Sequence, residues 1–180
     1  MKTRSQLPFV SGFLASALLA AFPVGAADSF DADLSGYNEV PTLSSPATAD
    51  FNAKISRDET MIEYELTYSG FPTNVTQAHL HLGRRAVAGG VMVFICSNLG
   101  NGPAGTPTCP VTAGTVTGTW TAASVVGPTA QGIAPGEFAE VVQAIRAGAA
   151  YANVHTVAFP AGEIRDQVGR DRRKDDDHQH

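Results

Sequence analysis

Charge is scarce in this 180-residue chain: Asp, Glu, Lys and Arg make up 16% of it, with 12 basic residues against 17 acidic ones. Binding nucleic acid through its phosphates needs clustered Lys and Arg, so with a formal charge of −5 nucleic acid is not an expected partner. Cysteine is nearly absent too, with two residues in all. Beyond residue 27 no apolar run approaches the ~20 residues of a spanning helix, which argues against a transmembrane segment in a mature chain. The motifs of common enzymes are missing as well. There is no G-x-S-x-G elbow, Walker loop or H-E-x-x-H helix, and no G-x-G-x-x-G directly after a strand, so hydrolase, nucleotide and dinucleotide readings lack support and no residue is put forward as catalytic.

What the chain does have is 43% hydrophobic residues, 18 glycines and 11 prolines. That is apolar enough to bury a core and turn-rich enough for many short elements, whereas disorder would need lower hydrophobicity and stronger like-charge repulsion. At the N-terminus Lys2 and Arg4 precede an apolar stretch from Leu7 to Val24, followed by Gly25-Ala26-Ala27. This is the layout of a secretory signal peptide over residues 1–27, cut after Ala26 or Ala27. Pro8 and Pro23 bracket a core too short for a retained anchor. Loss of Lys2 and Arg4 takes the charge from −5 to −7. The expected location is secreted or periplasmic. In such an oxidising setting Cys96 and Cys109 are expected to pair across a Gly- and Pro-rich loop, while a thiolate metal site would need a His or second Cys at zinc-ligand spacing.

Residues 28–169 read as one domain built mainly of strands. In Ile62-Glu63-Tyr64-Glu65-Leu66-Thr67-Tyr68 apolar and polar residues alternate, which places Ile62, Tyr64, Leu66 and Tyr68 on one face. Further strands are expected near 30–35, 49–57, 75–82, 91–96, 114–121, 150–157 and 162–168, separated by Gly, Pro, Asn or Ser clusters. About eight short strands predict an all-β fold, an antiparallel β-sandwich or Greek-key barrel. One segment has helical spacing: Phe138, Val141, Val142 and Ile145 share a stripe, with Glu140 early, Arg146 late and Gly148 at the exit. A short helix packed on the sheet follows. Residues 170–180 contain no apolar side chain and are expected to be a disordered charged tail.

Three of the five histidines fall in the folded region. Strand geometry puts His79 and His81 on one face, with Ala78, Leu80 and Leu82 on the other. Two imidazoles so spaced can converge on one ion. His155 completes a His₃ set if its strand lies alongside, Glu163 or Glu39 could add a carboxylate, and imidazole suits copper and zinc. The alternative is a satisfied polar network in which these histidines bond to groups such as Glu163, Asn153 and Thr156. Glu163 with Arg165 reads as a same-face ion pair. Glu39 and Glu163 are also the only acid pair a hydrolytic reading could use.

Taken in order, the segments Leu34-Ser35-Gly36-Tyr37-Asn38-Glu39-Val40-Pro41, Ala78-His79-Leu80-His81-Leu82-Gly83, Ile145-Arg146-Ala147-Gly148, Tyr151-Ala152-Asn153-Val154-His155-Thr156 and Pro160-Ala161-Gly162-Glu163-Ile164-Arg165 resemble the signature of the CHRD (chordin-type) domain family. The resemblance runs from about Phe30 to Val168. It implies a compact β-rich domain, often the single domain of a secreted bacterial protein, with no generally assigned activity. The chain departs from the pattern at Asp166, where a small residue is usual, and in the segment 84–90. The His-x-His strand also resembles, locally, the copper-site strand of Cu/Zn superoxide dismutases, without a bridging histidine or zinc loop. The reading that follows is an extracytoplasmic, non-enzymatic binding or structural module for an unknown protein or small ligand. Its alternative is a copper- or zinc-binding, redox-active protein using His79, His81, His155 and Glu163.

Overall fold

The computed structural model describes residues 28–170; the expected signal peptide and the tail from residue 171 lie outside the described residues. Nine strands form one antiparallel sheet: β1 (Ser29–Ser35), β2 (Thr48–Ile55), β3 (Ile62–Ser69), β4 (Val75–Leu82), β5 (Val91–Ser97), β6 (Gly114–Trp120), β7 (Ala150–Thr156), β8 (Ile164–Gln167) and β9 (Gly169–Arg170). The order is β5-β4-β7-β8-β1-β2-β3-β6, with β9 paired to β1. The sheet curls into a nearly closed barrel whose seam lies between β5 and β6. Side chains bridge that seam: the Trp120 indole N–H donates to Phe94 O at 2.7 Å and the Tyr64 hydroxyl to Ile95 O at 2.8 Å. The two rings stack with centroids 4.2 Å apart, so one aromatic pair both fills the interior and ties the edge strands.

Alternation of residue type explains the inside of the barrel. Along β3, Ile62, Tyr64, Leu66 and Tyr68 are buried while Glu63, Glu65, Thr67 and Ser69 are exposed. Phe51, Leu80, Ile95 and Ile164 complete the centre of the same core. The short helix α1 (Phe138–Arg146) buries Phe138, Val141, Val142, Ala144 and Ile145. It ends where Gly148 turns at φ +61°, a left-handed conformation that costs glycine little. Arg146 on its last turn pairs with Asp28 at 2.9 Å and with Glu59 of the β2–β3 turn at 2.8 Å.

Cys96 and Cys109 are disulfide-bonded with Cα atoms 5.2 Å apart, which closes the loop after β5. Asn98 inside that loop donates to Val75 O and Cys109 O, fastening it to the start of β4. Arg170, assigned above to the tail, instead ends β9 opposite Phe30, with its guanidinium 5.9 Å from the Phe30 ring and an ion pair to Asp28 at 3.4 Å. A charged residue can extend a strand when its cation finds a ring and a carboxylate, which composition alone does not reveal. Among the described residues no helix is long and apolar enough to cross a membrane.

Strands β4 and β7 depart from the half-exposed pattern. Every residue of β7 is buried, and so are His79 and His81 on the face of β4 that points away from the core. Three connections roof this face: 36–47 between β1 and β2, 83–90 between β4 and β5, and 157–163 between β7 and β8. The outer, polar face of these two strands is therefore an interior of its own.

Candidate metal centre

Register brings the parts of this second interior together. β4 pairs with both β5 and β7, setting His79 opposite Phe94 on one side and Asn153 on the other, and His81 opposite Tyr151. β8 adds Arg165 opposite Asn153. Since Ala78, Leu80, Ala152 and Val154 point into the barrel core, the residues between them, His79, His81, Tyr151, Asn153 and His155, share the outer face.

On that face the three histidines converge: one ring nitrogen from each of His79, His81 and His155 lies within 4.8 Å of the others. They are 3%, 7% and 7% exposed, so burial is nearly complete. His79 Nδ1 lies 3.1 Å from His155 Nε2. Nitrogens bound at ~2.0–2.1 Å to one tetrahedral ion stand roughly 3.3 Å apart, close to this spacing. The outer nitrogens of two rings are fixed by main-chain carbonyls: His81 Nδ1–H donates to Gly89 O at 2.9 Å and His155 Nδ1–H to Pro160 O at 3.1 Å. A carbonyl can only accept, so each of these rings carries its hydrogen on Nδ1 and presents the Nε2 lone pair inward. This is the arrangement that outer hydrogen bonds impose on metal-ligating imidazoles. The Nε2 atoms of His79 and His81 are buried without any hydrogen-bond partner. A buried polar atom left unpaired is costly, and in a native protein it calls for a specific reason.

Electrostatics keep the rings neutral. Burial pushes His79 down to about 2, helped by His155 and His81 beside it. Burial pushes His81 down to about 4, and the Arg165 cation contributes in the same direction. His155 is likewise lowered by burial. Neutral imidazole is the form that binds metal. Around the rings, Tyr151 stacks on His81 with centroids 4.8 Å apart and planes 5° from parallel, and the Arg165 guanidinium lies 3.6 Å from the Tyr151 ring centroid. Phe94 presents its ring edge-on to His79 at 4.5 Å.

Glu163 stands apart from the three converging nitrogens. It is fully buried and accepts hydrogen bonds from Ser45 Oγ at 2.7 Å and Thr156 Oγ1 at 2.5 Å. Its carboxylate pins the β1–β2 connection to the end of β7. The ion pair read between Glu163 and Arg165 does not form; Arg165 instead donates to Val87 O at 3.1 Å and covers Tyr151, because burial of both residues gives each a nearer partner. Glu39 accepts from Asn153 Nδ2 at 2.5 Å and from the Val40 N–H at 3.2 Å. Burial raises its pKa, and the Val40 and Asn153 bonds and the Arg165 charge pull the other way. Both carboxylates are thus engaged by neutral donors inside the protein, a setting unlike two acids opposed across a cleft. The loop 84–90 supplies the carbonyls for His81 and Arg165. Its Asp166 partner is Arg85, at 3.5 Å.

Sequence reasoning did not find the carbonyls of Gly89 and Pro160 or the edge of Phe94. Main-chain acceptors carry no residue signature, although the Gly89-Gly90 pair is a mark of close backbone approach. A Cβ at Gly89 would lie 1.6 Å from Leu82 O, so the roof can reach His81 only if this position has no side chain.

Comparison with known proteins gives a family match. The family model described as CHRD domain covers residues 30–168, nearly all of the described chain. No curated protein and no solved structure matches.

Proposed function

The chain belongs to the CHRD domain family, and we propose that it is a non-enzymatic, extracytoplasmic binding module whose ligand is a copper or zinc ion held by His79, His81 and His155. The observation that carries this reading is the convergence of three buried imidazoles, His81 with a partnerless Nε2 and His79 with its Nδ1 3.1 Å from His155 Nε2. A bound ion would satisfy the His81 Nε2 lone pair, which nothing in the protein satisfies. Outer-sphere support is already in place through Gly89 O and Pro160 O. Placement outside the cytoplasm is supported by the leader-like N-terminus and by the Cys96–Cys109 disulfide. Glu163 is assigned the role of a structural lock.

The test is metal analysis of the protein carrying His178→Ala and His180→Ala, so that the terminal histidines contribute nothing. After loading with Cu or Zn and dialysis, stoichiometric metal should be retained, and His79→Ala/His155→Ala should abolish it. At a free metal concentration about 100 times Kd, binding should add about 2.7 kcal/mol to stability. Recovery of no metal from the His178/His180 variant would sink the proposal.

A second reading, a scaffold in which the imidazoles only hold the architecture, is favoured by the direct His79–His155 contact. It requires His79→Ala/His81→Ala to lower the melting temperature sharply in metal-free buffer. Unchanged stability there would remove it.

A further inference from the structure

We infer that the three-imidazole site prefers monovalent copper to divalent zinc. This rests on the reading that the cluster holds a metal, and it follows from donor charge, donor number and the neighbouring cation.

The donors are neutral. Among the described residues the converging group contains His79, His81 and His155 and no carboxylate or thiolate. Of the two buried acids nearby, Glu163 is occupied by Ser45 and Thr156, and Glu39 by Asn153 and Val40. A divalent ion would therefore bring its full charge into an interior with no anionic ligand, where burial of uncompensated charge is penalised steeply.

The site also has a resident cation. Arg165 is 3% exposed and lies against Tyr151, which stacks in turn on His81. Because β7 lies between β4 and β8, the guanidinium is one ring away from a ligand. Coulomb repulsion scales with the charge of the incoming ion, so Arg165 disfavours a divalent ion twice as strongly as a monovalent one.

Donor number points the same way. Zinc in proteins takes four ligands, or three with a water in the fourth place. Here the Tyr151 hydroxyl accepts from the Gly89 N–H at 3.0 Å, and the Phe94 edge walls His79. Monovalent copper is satisfied by three neutral nitrogens, and seclusion from water protects it against oxidation and disproportionation.

The experiment is anaerobic competition on the His178→Ala/His180→Ala protein, with Cu(I) titrated against a chromogenic Cu(I) chelator and Zn(II) against a chromogenic zinc chelator. Cu(I) should bind stoichiometrically and resist displacement by an about 100-fold excess of Zn(II). Arg165→Met should narrow the preference about tenfold by strengthening zinc, and Glu39→Gln should widen it, opposite signs that a merely structural defect would not produce. Zinc binding as tightly as Cu(I), or displacing it, overturns the preference while leaving the metal site standing. Binding of neither ion overturns the metal site itself. Should Arg165→Met fail to fold, Glu39→Gln and the direct competition still decide the matter.

Discussion

Tyr151 separates a cation from an imidazole: the Arg165 guanidinium lies 3.6 Å from its ring centroid, and the His81 ring is stacked 4.8 Å from it. Three neighbouring strands each contribute one layer, β4 the imidazole, β7 the phenol and β8 the guanidinium. The stack lets a buried Arg165 spread its charge over a ring face and a main-chain carbonyl, Val87 O, with no carboxylate in direct contact. It also keeps a positive charge close to histidines that must remain neutral to act as ligands.

The neutral histidines impose a pH dependence on the metal-free protein. Their folded pKa values lie below the unfolded value of ~6.5, at about 4 for His81 and about 2 for His79. Between those values and ~6.5 the unfolded chain binds protons that the folded chain refuses, so stability is full above ~6.5 and falls as pH drops. Each such histidine should contribute a slope of about 1.4 kcal/mol per pH unit. Urea unfolding of chelator-treated protein at pH 7, 6 and 5 should show the decline, and His79→Gln/His81→Gln should flatten it. A profile as steep in the double variant would trace the effect to other groups.

Glu163 should behave as a lock. Glu163→Ala leaves the Ser45 and Thr156 hydroxyls without their buried acceptor and should cost about 2–4 kcal/mol in chemical denaturation. Glu163→Gln keeps an acceptor and should cost less, and it should leave metal stoichiometry unchanged. Loss of metal in a folded Glu163→Gln protein would make this residue a ligand after all.

Closure of the barrel depends on two side chains that reach across the β5–β6 seam. Tyr64→Phe removes the bond from the Tyr64 hydroxyl to Ile95 O and should cost about 1–2 kcal/mol. Trp120→Phe loses the bond to Phe94 O and leaves buried space, for about 3 kcal/mol. Hydrogen exchange should show amides of β5 and β6 opening first in both variants; uniform loosening of all strands would contradict a role localised to the seam.

Reducing the disulfide should destabilise the fold without dismantling it. The bridge closes a loop of sequence separation 13, worth about 3 kcal/mol in the chain-entropy model. Melting with and without reductant, compared with Cys96→Ser/Cys109→Ser, gives the value. No change on reduction would mean that the Asn98 bonds to Val75 O and Cys109 O already hold the loop.

Gly89→Ala tests the roof over the histidines. With no room for a Cβ beside Leu82 O, the loop must lift and His81 loses its carbonyl. Metal affinity should fall at least about tenfold, in line with the loss of an outer-sphere partner. Wild-type affinity in this variant would show that Gly89 O is dispensable for orienting the ring.

Local pattern was enough to read much of this molecule. Alternation in Ile62–Tyr68 located β3 and its buried face, the i, i+3, i+4, i+7 spacing from Phe138 located α1, and the His-x-His spacing put His79 and His81 on one side of β4. These are properties of a few neighbouring residues, set by the two-residue period of a strand and the 3.6-residue period of a helix. Tertiary structure decided the rest. Whether His155 joins the pair depends on β4 lying beside β7, residues 76 apart in the chain for His79 and His155. Whether the polar face is wet or buried depends on where three loops fold back, and the partner that Glu163 meets, Ser45, arrives from 118 residues away in sequence. Sequence spacing fixes the direction in which a side chain leaves its own strand, but the atoms it meets are delivered by distant segments and by main-chain carbonyls, and only the folded chain brings those within bonding distance.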